Sequence, residues 1–239
     1  MKNNTLFFVL LMSFFDLNGQ NNKTTFGLQY KPIIPAKYFN SSEINKNSDN
    51  YNFKLAPKYS NSFGMILRHK LNNTFSIESG LNYIQRNYTL SINNNMGIED
   101  LTAFGIRSYE IPIQFLTYVR TSNFWYLNVA FGISHNVLAS DIFSNGEKGN
   151  SYLQKTYRKN GGYRALLANI GMEYRTQEKG CYYIGISLHR PWTEISRIYP
   201  EYDDGNIENN FNNDNSSDKF FIELTGNFIT IDFRYFFAE

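Results

Sequence analysis

The sequence predicts an all-β chain: an eight-stranded antiparallel up-and-down transmembrane β-barrel with short periplasmic turns and long extracellular loops. Three observations predict it. Apolar and polar residues alternate with a period of two through eight segments. The connections between those segments alternate strictly between long and short. The polar face of nearly every segment interleaves glycine with charged side chains.

Composition narrows the classes first. The chain has 239 residues, a formal net charge of +2 and 17% aromatic residues, with 18 Tyr and 21 Phe against 2 Trp. A helical membrane protein needs apolar runs of about 20 residues, and the longest here is Leu6–Phe15. That run follows Lys2 and precedes the short polar stretch Asp16–Gly19, which is the shape of a secretory signal peptide with cleavage after Gly19. Residues 1–19 are therefore read as a signal and 20–239 as the barrel, exported to the cell outer membrane. The signal region has no cysteine to acylate, and the single cysteine, Cys181, excludes an intramolecular disulfide. A nearly balanced charge offers no field for nucleic acid.

The strands follow in order. Thr24–Ile34 alternates until Pro32 and Pro35 close it, and the polar stretch Pro35–Tyr59 reads as a long loop. Ser60–Leu71 and Thr74–Ile92 are joined at Asn72–Asn73, read as a two-residue hairpin turn. The second of these, about 19 residues, exceeds the usual soluble strand of about 5–6. Asn93–Gly105 reads as a second polar loop. Ile106–Arg120 and Phe124–Leu138 are joined by a short turn, and Ala139–Gly162 is a long loop. Tyr163–Arg175 and Cys181–His189 form the next pair. Arg190–Lys219 is the longest loop, containing the acidic, Asn-rich tract Glu201–Asp218, and Phe220–Phe237 is the last strand.

The polar face decides which side of the sheet is inside. Gly27, Gly64, Gly80, Gly132, Gly171 and Gly185 fall on it together with the charges. Glycine weakens a strand and is used where space is short, and a lumen of eight strands is only wide enough for its own side chains. Arg68, Glu78, Arg86, Glu110, Glu173, Asp232 and Arg234 are therefore expected to form a charge network in the lumen. Phe75, Ile77, Leu81, Tyr83, Ile111, Ile113, Phe115, Ile229, Ile231 and Phe233 are expected to face lipid.

The segments Ile77–Tyr88 (IESGLNYIQRNY), Ser108–Val119 (SYEIPIQFLTYV) and Asn169–Arg175 (NIGMEYR), with the aromatic last strand, resemble the Bacteroidetes-type outer-membrane β-barrel domain family that includes the PorT-like proteins. The resemblance spans most of the mature chain, and its motifs are barrel packing patterns. It implies architecture and location, and some members serve type IX secretion and gliding. The chain departs from the family's usual terminal aromatic in ending Phe237-Ala238-Glu239.

Reactive residues are few. Ser134 and His135 are adjacent on a strand, hence on opposite faces, and do not form a hydrogen-bonded pair in regular geometry. His189 stands beside the last long loop, with Glu194, Asp203 and Asp204 as candidate neighbours. A salt-bridged plug explains the lumen charges better than an ion path does. The expected function is non-enzymatic: a monomeric structural or accessory envelope component, without cofactor or metal, in contact with outer-membrane lipid. It binds other envelope or secretion proteins through its long loops. The alternatives are a small barrel enzyme acting on lipid A or peptides, and a narrow pore.

Overall fold

A computed structural model describes residues 24–35, 43–48, 51–94, 97, 99–148, 152–176, 178–202 and 220–238. The expected signal peptide and nearly all of the acidic Asn-rich tract lie outside these residues. The described strands are β1 (Thr24–Ile34), β2 (Ile44–Ser48), β3 (Tyr51–Pro57), β4 (Ser60–Lys70), β5 (Phe75–Asn94), β6 (Glu99–Arg120) and β7 (Trp125–Leu138). They continue as β8 (Ile142–Asn145), β9 (Tyr152–Arg158), β10 (Gly162–Thr176), β11 (Gly180–Pro191), β12 (Ser196–Tyr202), β13 (Ile222–Leu224) and β14 (Phe228–Phe236).

All described pairings are antiparallel. The order β5-β4-β1-β14-β11-β10-β7-β6 returns to its start because β6 also pairs with β5, so eight strands form a closed ring. The register skips one stretch on each of two ladders. Between β5 and β6 the pairs jump from Ser79–Ile113 to Asn82–Glu110, across Pro112. Between β1 and β14 they jump from Tyr30–Phe233 to Ile33–Thr230, across Pro32. Proline has no N–H to give a ladder, so each gap marks a missing donor.

Three differences from the sequence reading have physical causes. First, the segments read as long loops contain strands: β2 and β3 lie in 35–59, β8 and β9 in 139–162, and β12 in 190–219. They are short and largely polar; β2 and β8 pair only with their neighbours β3 and β9, while β3, β9 and β12 pair with segments remote in sequence, so little local signal announces them. Second, β5 and β6 run through most of the stretch read as the loop Asn93–Gly105, up to Asn94 and from Glu99. Third, the last strand is two. Thr225–Asn227 separates β13 from β14, with Gly226 at φ 72°, a left-handed backbone that glycine adopts without steric cost.

The Asn72–Asn73 turn also differs. Leu71 and Asn72 both donate their N–H to the Phe75 carbonyl, and the Asn72 side-chain oxygen accepts from the N–H groups of Thr74 and Phe75, at 2.8 Å each. Asparagine imitates a backbone acceptor here and holds a wider loop than a two-residue turn.

The additional strands build a cap at the end of the ring opposite this turn. β3 pairs with the upper half of β5, and β2 pairs with β3. A second sheet, in the order β13-β12-β9-β8, is made from the connections that follow β7 and β11. Between the two layers lies a core that includes Phe53, Leu55, Leu90, Ile92, Phe104, Ile106, Tyr152, Ile195, Ile198 and Ile222. Nearly all of these are essentially solvent-free. Burying such side chains contributes roughly 1.5–3 kcal/mol each, which is what holds these short, polar strands in place.

Ring curvature brings neighbouring backbones close. At Gly132 a Cβ would lie 2.1 Å from the Ile113 carbonyl oxygen and 2.7 Å from the Gln114 Cα. Gly132→Ala is therefore expected to destabilise the folded ring by about 1–3 kcal/mol, read as a lower urea midpoint in detergent micelles. Gly161→Ala, whose Cβ would meet nothing within 4 Å, should leave the midpoint unchanged. Equal midpoints for the two variants would refute the close approach.

Candidate functional site: a charged interior between an apolar belt and a cap

The two faces of the ring differ throughout. Even positions of β5 and β6 from Ser76 to Arg86 and from Ser108 to Tyr118 point inward, and apart from the glycine Gly80 they are buried. Odd positions point outward, and from Tyr109 to Val119 on β6 they are mostly large and apolar. Ile111 is 48% exposed, Ile113 56% and Phe115 49%. Phe75, Ile77, Leu81 and Phe233 stand on the same outer surface, also exposed. Tyr83, Ile229 and Ile231 stand there half-buried among their neighbours.

Aromatic rings border this belt on both sides. Near the short turns, Trp125 packs on Tyr174 and Tyr182 on Tyr235, with ring centroids 5.1 Å apart in each pair. At the other edge Phe63, Tyr83 and Tyr109 form a row, and the Tyr30 and Tyr59 hydroxyls hydrogen-bond each other.

Beyond that edge the polarity of both faces inverts on the same strands. Inward positions become Leu90 and Ile92 on β5 and Phe104 and Ile106 on β6, all buried. Outward positions become Asn87, Thr89, Ser91 and Asn93 on β5, with Glu99, Ala103 and Arg107 on β6. One strand thus has its apolar side outward below and inward above, with no change in side-chain period.

Inside the belt, seven charged side chains form one alternating chain. Arg175 pairs with Glu173 at 2.8 Å, and Glu173 with Arg68 at 2.6 Å. Arg68 pairs with Glu78 at 2.6 Å, and Glu78 with Arg234 at 2.8 Å. Arg234 meets Asp232 at 2.7 Å, and Asp232 meets Lys31 at 3.6 Å. The strands β10, β4, β5, β14 and β1 supply these residues, so the chain crosses the interior. Neutral donors complete the carboxylates: Asn128 donates to Glu173 at 2.7 Å, Ser187 to Asp232 at 2.6 Å and Thr230 to Asp232 at 2.5 Å. Ring faces cover the guanidiniums, with Phe236 3.8 Å from Arg68 and Tyr183 4.5 Å from Arg234.

Two residues expected in this network lie elsewhere. Glu110 accepts from Asn82 at 2.8 Å, Asn82 accepts from Gln29, and His189 lies 3.3 Å from Glu110. Arg86 donates to the Gly226 carbonyl and to the Tyr163 hydroxyl, each at 3.1 Å. Both sit in a second polar layer between the charge chain and the cap core. His189 is stacked flat on Phe228, 4.2 Å away. Lys31 and Arg175, which close the two ends of the chain, stand on the polar parity of their strands. That parity was the signal for them; their partners were not predictable from it.

Ser134 and His135 are not brought together. Ser134 points inward and accepts from Asn136 at 2.8 Å, whereas His135 is exposed on the outer face. Cys181 lies half-buried 3.5 Å from Glu173. Among the described residues no cluster of His, Cys, Asp and Glu has the arrangement of a metal site.

The cap presents a row of rings on the second sheet. Phe143 and Tyr157 are 5.8 Å apart, Tyr157 and Tyr199 5.7 Å, and Tyr199 and Phe221 5.8 Å. The Arg197 guanidinium lies 4.6 Å above Phe221. At the base of the cap, Glu194 accepts from Lys159 at 2.6 Å and from Arg197 at 2.8 Å. Its covered position alone would raise its pKa, but these two cations outweigh that and hold the carboxyl below its ordinary value. Asp141 is held low chiefly by the Arg158 backbone N–H, assisted by the Arg158 side chain at 3.0 Å.

No family model matches the chain, and none of the curated proteins does. Among solved structures it is similar to the translocator domain of the autotransporter NalP from Neisseria meningitidis, at 10% identity and a TM-score of 0.36, with 99% of this chain and 96% of that one covered. It is also similar to the outer membrane protease OmpT from Escherichia coli, at 9% identity and a TM-score of 0.36, with coverage of 90% and 91%. The superpositions are loose, and the closed antiparallel ring stands on its own pairings.

The charge chain generates a prediction. Glu78 serves two buried guanidiniums, and removing one member of a buried ionic network costs about 3–5 kcal/mol. Glu78→Ala should lower the urea midpoint accordingly. Glu99→Ala, an exposed carboxylate on the cap, should lower it far less. A Glu78→Ala midpoint within error of the parent chain would remove the network from any structural role.

Proposed function

We propose that the chain is a non-enzymatic, monomeric integral outer-membrane protein: an eight-stranded transmembrane β-barrel exported by a signal peptide at 1–19. Its cap faces outward and docks another envelope or secretion component. The observation that carries the membrane reading is the inversion of both faces along β5 and β6. An apolar outer surface is favourable only against hydrocarbon, and a polar one only against water. The belt on β6 runs from Tyr109 to Val119. At about 3.4 Å per residue and a tilt near 40°, that stretch is about 25 Å tall, the height of the apolar band of membrane barrels. Tyr and Trp rows at both edges suit the two interfaces, where an apolar ring body carries a polar tip.

The resemblance of Ile77–Tyr88, Ser108–Val119 and Asn169–Arg175 to the Bacteroidetes-type, PorT-like barrels agrees with an accessory role. The aromatic row Phe143–Tyr157–Tyr199–Phe221 agrees with partner contact at the cap, since Tyr and Phe are enriched in binding interfaces. An interior crossed by ion pairs and topped by an apolar core argues against the pore reading. The separation of Ser134 from His135 gives the lipid A enzyme reading no support.

Two experiments test the reading. Ile113→Arg places a charge at mid-belt and should destabilise the protein in bilayers by about 2–4 kcal/mol. Ala103→Arg, on the same strand and face but above the belt, should cost under 1 kcal/mol; equal costs would sink the membrane assignment. A photo-crosslinking residue at Phe143 or Tyr157 should capture a discrete envelope protein in intact cells, and one at Ile170 should not. Identical adduct patterns from the cap and the belt would remove the docking role.

A further inference from the structure

Among the described residues nothing closes the end of the ring that carries the short turns, and a cavity of about 420 Å³ lies there. Arg68, Lys70, Arg120 and Arg175 line it, with Tyr118 and Ser76 among its other walls; among the described residues no carboxylate lines it. Glu78 and Glu173 stand beneath the floor and are already engaged by Arg68, Arg175 and Arg234, and Glu178, exposed in the β10–β11 turn, does not line the cavity. Arg120 adds positive charge at the rim, where its guanidinium donates to two neutral oxygens, of Ser122 at 3.1 Å and Asn123 at 3.3 Å. A concave site lined by one sign of charge focuses its field into the volume it encloses.

A second observation points the same way. Tyr118 is 6% exposed and Ser76 1% exposed, and neither hydroxyl makes a hydrogen bond of standard geometry. The two hydroxyls face each other, and a bond between them uses one donor, so one buried donor at the floor of a cationic cavity lacks an acceptor. The Tyr118 and Tyr126 rings hold Arg175 between them, 4.4 and 4.1 Å from its guanidinium, which fixes that fork facing inward.

We infer that this vestibule is a binding site for a phosphate-bearing ligand. Three guanidiniums and a buried hydroxyl line the volume with donors, and among the described residues no carboxylate does, which suits a multiply charged tetrahedral oxyanion. The volume exceeds a bare phosphate and lies in the range of small-molecule sites. The phosphate has two candidate sources, a soluble phosphorylated compound and a phospholipid headgroup. The membrane reading enters only in naming the side of approach, which is the periplasm.

The test uses the full chain refolded in maltoside micelles and titrated with inorganic pyrophosphate at fixed salt, followed by calorimetry. Saturable binding is expected, weakened about tenfold by Arg120→Gln and by Arg175→Gln. Arg120→Lys should retain more affinity than Arg120→Gln, and heat-modified gel mobility reports that each variant is folded. Absence of saturable binding, or equal affinity in the parent chain and both Gln variants, overturns the proposal. Repeating the titration in nanodiscs with and without an anionic phospholipid separates the sources. Competition assigns the site to a headgroup and its absence to a soluble phosphate, and either result supports an oxyanion site. A negative result here leaves the Ile113→Arg comparison untouched, so the two readings fail separately.

Discussion

The closure of the ring is the constraint on which the rest of the structure depends. A strand with an unpaired edge leaves a row of N–H and C=O groups without partners, and an apolar medium offers them none. Pairing β6 back onto β5 removes the last edge. Closure with so few strands makes the ring narrow, and narrowness explains both the close approach at Gly132 and the interior composition. Long side chains fill such a ring only by lying across it. Arg68, Arg234 and Arg175 do so, and each needs a carboxylate because a bare buried charge costs several kcal/mol. The alternation along Arg175, Glu173, Arg68, Glu78, Arg234, Asp232 and Lys31 gives each carboxylate two cations. The Pro32 and Pro112 gaps show how small a departure from full pairing the ring contains.

The period-two pattern made the sides of this ring legible in the sequence. Arg68, Glu78, Glu173, Asp232 and Arg234 share the inner parity, and Ile111, Ile113 and Phe115 the outer one. Parity says which side a residue occupies and nothing about its height, and height decides who meets whom. Arg86 shows the difference. It stands on the polar parity of β5, yet two turns of the pleat above Asn82 it has left the charge chain and binds Tyr163 and the Gly226 carbonyl. Glu110 likewise meets His189, across the ring from a strand read long after it in the sequence.

The cap was illegible for a different reason. Its strands are three to seven residues long, and they bury one face against segments remote in sequence, so composition alone makes them read as loop. The inversion on β5 and β6 held the missing clue. Leu90, Ile92, Phe104 and Ile106 continue the inward parity as apolar residues, where a strand entering solvent alone would have no use for them. Four buried hydrocarbons on one face require a second layer over them, and the connections 139–161 and 192–227 are the chain available to make it.

The two ends of the molecule consequently differ in kind. From the short-turn mouth upward the interior passes from ion pairs, through the amides of Gln29 and Asn82, through His189 beside Glu110 and Arg86 on its two neutral acceptors, to the cap core. Charges concentrate towards the mouth and hydrocarbon towards the cap, and both layers are nearly solvent-free. That gradient leaves mutual pairing to offset the desolvation of Arg68, Glu78, Glu173, Asp232 and Arg234, each at most 3% exposed. It also makes traffic through the ring unfavourable. A solute that enters among the arginines meets, at the far side, a buried core that includes Phe53, Leu55 and Ile92. A vestibule closed in this way is suited to holding a ligand at one face, and the opposite face is left to the aromatic surface of the cap.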